Sequence, residues 1–160
     1  MRYIILFFLL IICSSVEAKY PDGTLVFSNK PGTLVGNIAL RSASKAQGYQ
    51  AKWTHVGIIL DGKIYHSDFP VTTMRTSFKI GEKVIFILPS RKYTDQQIYD
   101  MKRYANSQLG KRYSLRGFRL RNGEEGWCSP FVKNVLNQAG HKLTYRDGFT
   151  PDNLLRAILC

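Results

Sequence analysis

Cysteine, histidine and acidic residues are all scarce in this chain. Three cysteines and three histidines stand among 160 residues, and 11 aspartates and glutamates face 23 lysines and arginines, leaving a net charge of +12. The shortage of acid directs the surface toward anionic partners. No tight ligand pair of the CxxC or HExxH kind is present, which ranks a zinc centre low. There are no internal repeats and no low-complexity segment after the N-terminus. The apolar run Ile4–Ile12 is too short to span a bilayer.

That run has another reading. Arg2 precedes it and Val16-Glu17-Ala18 offers small residues around a cleavage point, so residues 1–18 read as a secretory signal peptide cut after Ala18. Cys13 lies inside it behind Ile12, where a lipoprotein-type site would want a small residue, so lipid anchoring there is disfavoured. Cleavage removes Arg2 and Glu17 together and leaves the net charge unchanged. Residues 19–160 then form one domain, long enough for a hydrophobic core and too short for two. The expected location is secreted or periplasmic. There the anionic partners on offer are cell-wall polymer, phospholipid head groups and extracellular nucleic acid. Nucleic acid is the weakest of these, because the aromatics sit on strand and helix faces and are not interleaved with basic residues along one surface. A monomer is expected.

Two cysteines, Cys128 and Cys160, survive cleavage. In an oxidising compartment they could pair, although Cys160 is the last residue, and a bridge from a frayed end meets little structural need. Pro130 fits only the first turn of a helix, and Phe131, Val132, Val135, Leu136 and Ala139 recur at helical spacing before Gly140. Cys128 therefore stands at a helix N-terminus, where the dipole favours thiolate. The alternative is a small apolar residue that packs the helix start.

The remaining pattern predicts an α+β domain, an antiparallel sheet packed against helices. Residues 23–27 read as a first strand. Residues 33–46, capped by Thr33, read as a helix with Leu34, Val35, Ile38, Ala39 and Ala43 inward. The apolar runs 54–60 and 63–67 flank Asp61-Gly62, a strong two-residue hairpin signal. Residues 84–88, VIFIL, read as a central strand. Thr94-Asp95-Gln96-Gln97 is a capping box that opens a helix through Leu109, with Ile98, Met101 and Ala105 inward and Gly110 as stop. Thr150-Pro151 opens a last short helix over residues 152–158.

The hairpin carries two of the three histidines. With Asp61 and Gly62 as the loop, Leu60 faces Lys63, Gly57 faces His66 and His55 faces Asp68. His55, Gly57, His66 and Asp68 then share one face of the sheet. Gly57 has no side chain, which leaves room for His66 to lean diagonally toward His55. Two histidines on one face and a helix-start cysteine suit thiol acyl transfer, with Cys128 as nucleophile, His55 as base and then acid, and His66 or Asp68 orienting the imidazole. His55, His66, Asp68 and Cys128 are also the residues a zinc ion would use, but neither metal nor cofactor is expected. His141, just past a helix stop, reads as a surface turn residue.

THVGIILDGKIYHS, then GKRYSL, then WCSPFVKNVLNQAG, resembles the NlpC-type cysteine peptidases, in which HVGIY, an I-H-A strand, G-x-x-Y and D-C-S-G recur. The cysteine segment follows the histidine strand here. That order, with DGTLVFSNKPGT near the start and TPDNLL near the end, is similar to the circularly permuted, papain-like amidase branch typified by YiiX and YaeF, to which lecithin retinol acyltransferase-like enzymes are related. The resemblance covers nearly all of residues 19–160, in short motifs. It implies a permuted papain-like fold, Cys128 as nucleophile, His55 as general base and His66 as third polar residue. Gly110 and Tyr113 match G-x-x-Y, with the Tyr113 hydroxyl and the Cys128 amide as oxyanion donors. Pro130 stands where the family has glycine and Trp127 where aspartate is frequent, and the hairpin loop is shorter. Glu124 and Glu125 would oppose a thiolate if they faced it.

Lys111, Arg112, Arg116, Arg119 and Arg121 crowd the segment before Cys128. They read either as a solvated basic loop or as a lip that draws an anionic substrate, with Arg112, Arg116 and Arg119 its substrate-binding residues. Phe118 and Leu120 among them suit a membrane interface equally well. The expected activity is hydrolysis of a cell-wall peptide amide through an acyl-cysteine. The rivals are acyl hydrolysis or transfer on a phospholipid, and a non-catalytic binder of anionic envelope polymer.

Overall fold

The computed structural model describes residues 20–29, 41, 44–45, 48–68, 71–75, 83–112, 127–144 and 146–159. Five strands, β1 (Leu25–Ser28), β2 (His55–Leu60), β3 (Lys63–Ser67), β4 (Thr72–Arg75) and β5 (Val84–Ile87), form one sheet in the order β4-β3-β2-β1-β5, and every neighbouring pair is antiparallel. Three helices follow, α1 (Asp95–Gln108), α2 (Cys128–Gln138) and α3 (Pro151–Leu159). This is the α+β architecture that the pattern of strands and helices predicts. No helix among the described residues is long and apolar enough to cross a membrane.

One sheet face carries the main core. Alternate residues Leu25 and Phe27 of β1, and Val56, Ile58 and Leu60 of β2, meet Met101 and Ala105 of α1 and Val132, Val135 and Leu136 of α2. Local signals set the helix ends. Thr94 Oγ1 accepts from the Gln97 amide at 3.2 Å while the Gln97 side chain accepts from the Thr94 amide at 3.0 Å, the full capping box that opens α1. Gly140 follows α2 with φ 88°, so the chain turns away there at little steric cost. Thr150 caps α3, its hydroxyl accepting from the Asn153 amide at 3.1 Å.

Two expectations change. The VIFIL strand is not central: β5 lies at the sheet edge with β1 as its neighbour, and Phe86 and Leu88 are exposed. Its apolar run reflects one side packed on the core, through Ile85 and Ile87, plus an exposed aromatic stack of Phe86 on Tyr20 at 4.2 Å. Strand β4 is an addition, since the sequence pattern predicts no element over residues 72–75. The signal segment 1–18, Cys160 and most of the helix expected over 33–46 lie outside the described residues.

Candidate active site

The Asp61-Gly62 loop sets the geometry. Both residues have positive φ, 56° and 67°, the backbone of a tight turn whose twist matches the flanking strands. It imposes the pairs Leu60↔Lys63, Ile59↔Ile64 and Ile58↔Tyr65, the register the two-residue loop predicts. Continued inward, that register brings Gly57 against His66. A Cβ on Gly57 would stand 2.9 Å from Ile64 Cγ2 and 3.3 Å from His66 Cβ, so glycine is what lets the two strands carry a histidine across this point. His55 Nε2 and His66 Nδ1 are 2.9 Å apart, with the rings at 89° to one another and both residues buried. One nitrogen of the pair donates and the other accepts, so the proton placement of one ring fixes that of its neighbour.

Cys128 stands at the start of α2, which packs against β2 and β3. The N-cap of α2 is Trp127, which makes no side-chain cap, so amides of the first turn are open to another acceptor. The backbone amides of Val56 and Ser129 lie close enough to the Cys128 sulfur to favour its anionic form. Alternate N–H groups of β2 point to opposite edges: that of Ile59 goes to Thr24 O, so that of Val56 faces the β3 side. There the β2–β3 ladder has already ended at Ile58↔Tyr65. Cys128 is thereby placed beside the residue after His55. It is a free thiol and it is buried.

The electrostatics differ from the expectation of a resting thiolate. Burial pushes the Cys128 thiol up to about 11, and the negative charge of Asp68 pushes the same way, against the amides that favour the anion. The helix terminus does act as expected, but desolvation of a fully buried sulfur outweighs it. Cys128 is accordingly a neutral thiol at neutral pH.

Of the two candidates for a third residue, His66 touches His55 directly and Asp68 lies close behind. One donor atom from each of His55, His66 and Asp68 lies within 4.8 Å of the others, whereas the Cys128 sulfur is outside that group. The donor set of two imidazoles and a carboxylate fits a divalent ion of the zinc class. Arg112 is exposed, and its backbone bridges Val71. The Gly110 amide donates to Thr72 O at 3.0 Å, which joins the end of α1 to β4. Tyr113, Arg116, Arg119, Arg121, Glu124 and Glu125 lie outside the described residues. His141 is not an open surface residue: it is half-buried and its Nε2 lies 2.8 Å from the Tyr93 hydroxyl. Burial and the nearby Arg91 charge lower its pKa.

Asp152 has a role that sequence reasoning missed. Its carboxylate, in the first turn of α3, accepts from the Lys52 amide at 3.2 Å and from the Trp53 amide at 3.2 Å, just before His55. Asp152 thus pins the entry to β2, the strand that carries His55. The available signal was an acid in the first turn after Thr150-Pro151, which by itself says only that it favours a helix start.

No family model and no curated protein matches the sequence. Among solved structures, the crystal structure of the metalloprotein YiiX from Escherichia coli O157:H7, of the DUF1105 group, is similar, with a TM-score of 0.56 at 17% identity, over 78% of this chain and 69% of that one. At that identity the likeness is one of fold, and this chain has a YiiX-like α+β fold.

Proposed function

We propose that this protein is a cysteine hydrolase of the permuted papain-like kind, acting in the cell envelope or outside the cell. The observation that carries the reading is the junction at β2: the Val56 amide lies by the buried Cys128 sulfur, and the neighbouring His55 is bonded through Nε2 to His66. With Nε2 facing His66, Nδ1 is given the role of taking the thiol proton. For that, Nε2 must carry a hydrogen and donate to His66 Nδ1, which fixes His66 as the Nε2–H tautomer. As the proton leaves, the sulfur attacks the substrate carbonyl, and the developing oxyanion meets the amides at the start of α2. His55 then returns the proton to the leaving group. The acyl-cysteine is cleared by water activated on the same imidazole.

The preferred substrate is a cell-wall peptide amide, drawn by the basic surface with Arg112, Arg116 and Arg119 at its lip. An acyl bond of a phospholipid, hydrolysed or transferred, is the alternative on the same residues. The test is incubation of purified protein with peptidoglycan stem peptides and with phospholipid vesicles. Release of amine or of fatty acid that vanishes in Cys128→Ala supports the reading, and silence on both substrates sinks it. A polymer binder would instead keep its affinity in Cys128→Ala and lose it steeply with salt.

YiiX is itself called a metalloprotein, and the His55, His66 and Asp68 donor set of this chain favours a metal reading as the second choice. A bound ion there would supply Lewis-acid charge. His55 and His66 would hold it through ring nitrogens and Asp68 through its carboxylate.

A further inference from the structure

Two basic side chains share a helical face on which no acid answers them. Arg41, Ser44 and Lys45 are helical, and Arg41 and Lys45, four residues apart, are neighbours on the helix surface. Like charges at that spacing repel. From Gly23 to Leu60 the chain has no aspartate or glutamate. Among the described residues the ion pairs join Lys102 to Asp22 and Asp61, and Arg103 to Asp100, so Arg41, Lys45 and Arg156 stay outside them.

The two cations line a cavity of about 600 Å³, with Arg41, Ser44 and Lys45 along one side and residues 48–51 along the other. The helix stop builds that second wall. Gly48, at φ 77°, donates to Lys45 O at 3.0 Å, and the Tyr49 amide donates to Ser44 O at 3.0 Å, the paired closure of a Schellman motif. The Ser44 hydroxyl donates to Arg41 O at 2.9 Å and accepts from the Ala51 amide at 3.2 Å. Two consequences follow for a ligand. The carbonyls of Arg41, Ser44 and Lys45, which would oppose an anion at a helix C-terminus, are spent on these bonds. The wall is tied to the helix at three amides, so the cavity is formed in advance. Beside Gly48 it is open, since a Cβ built there meets nothing within 4 Å.

A third charge stands over this wall, because the Arg156 guanidinium lies 4.4 Å from the ring of Tyr49. Asp152, the acid of the same helix α3, is buried and gives its carboxylate to the Lys52 and Trp53 amides. We infer that the cavity is a binding site for a phosphate ester, held between the Arg41 guanidinium and the Lys45 ammonium and separate from His55 and Cys128. A phosphate diester presents two charged oxygens on one side, which a guanidinium matches as a fork and an ammonium meets as a point charge. The volume leaves room for the groups esterified on either side of it. The same chemistry comes from a soluble phosphate-linked polymer or from a phospholipid head group.

The test uses the purified protein and two probes. Soluble oligo(glycerol phosphate) is titrated by calorimetry and by nitrogen-15 amide spectra, and vesicles of phosphatidylglycerol are compared with phosphatidylcholine by co-sedimentation. A chain of net charge +12 gathers anions over its whole surface, so a matched control is needed. The double variant Arg41→Gln, Lys45→Gln is therefore set against Lys63→Gln, Lys142→Gln, which removes equal charge at exposed positions elsewhere. The expected result is saturable binding of at least one probe, weakened at least tenfold in the first double variant and less than twofold in the second. With the soluble probe, the amide shifts are expected to be largest within residues 41–51. Binding of the oligomer assigns the site to a polymer, and binding of phosphatidylglycerol vesicles alone assigns it to a head group. Saturable binding of neither probe, equal losses in the two double variants, or largest shifts outside residues 41–51 each overturns the inference. Cys128→Ala is expected to bind like the parent. Failure to release amine or fatty acid, which sinks the hydrolase reading, leaves these titrations to decide the site by themselves.

Discussion

Two polar clusters, one at Tyr49 and one at His55, sit close together on the chain and are built on opposite plans. Around Tyr49, polar atoms close on structure: the hydroxyl lies 2.6 Å from Thr150 Oγ1 and donates to Asn153 Oδ1 at 2.7 Å, Arg156 lies over its ring at 4.4 Å, and Asp152 beside them takes the Lys52 and Trp53 amides. Around His55, titratable side chains meet one another: imidazole on imidazole, with a carboxylate nearby and a thiol close to the next residue's amide. The first cluster commits its acceptors to backbone and neighbouring side chains and so holds shape. The second leaves proton positions to be chosen, which is the condition for chemistry.

Mutations break that comparison in graded ways. The largest effect is expected for Cys128→Ala and His55→Ala, which lower turnover of any accepted substrate by about 10³–10⁴-fold with the fold intact, read by activity beside circular dichroism. Next comes a pH effect on stability. The Cys128 thiol is raised in the folded state from 9.0 to about 11, so the folded chain holds a proton that the unfolded chain gives up above pH 9. The stability from that thiol is complete below pH 9 and is lost as pH rises toward 11, by roughly 2–3 kcal/mol. Urea unfolding of the parent against Cys128→Ala at about pH 8 and about pH 11 isolates it, because the raised tyrosines contribute to both proteins alike. A parent whose extra loss is absent would show the sulfur to be solvated.

Asp152→Ala sharpens the contrast from the structural side. It leaves two amides without their acceptor and is expected to cost about 1–3 kcal/mol in urea unfolding. It also slows turnover through the loosened start of β2. Asp152→Asn, which keeps one acceptor oxygen, should recover most of that stability. The smallest effect is Tyr49→Phe, about 0.5–1.5 kcal/mol in the same assay, with the alkylation rate of Cys128 unchanged. A change in that rate would show that the two clusters are coupled.

The site is legible in the sequence to the extent that it depends on a short hairpin. Asp61-Gly62 defines the turn, the turn defines the register, and the register with a glycine at 57 puts His66 against His55. Helix α2 is legible from Pro130, the apolar spacing and Gly140. The features that are not legible are longer in range. The placing of β5 at an edge depends on which strand accepts its hydrogen bonds, and apolar content reports burial without naming a neighbour. His141 reads as a surface turn residue from its neighbours alone, because its partner, Tyr93, is 48 residues away.

From residues a few positions apart the chain determines its turns, caps and helix stops, because these follow from local sterics and from hydrogen bonds that close over one turn of backbone. It also determines that Cys128 heads a helix and that two histidines on paired strands share a sheet face. Only the tertiary structure decided that the Val56 amide reaches the Cys128 sulfur, that Asp152 holds the entry to β2 from 99 residues away, and that the thiol is neutral at rest. Those depend on how elements from distant parts of the chain exclude water together. Desolvation is a property of the assembled surroundings, and no spacing of residues along the chain encodes its size.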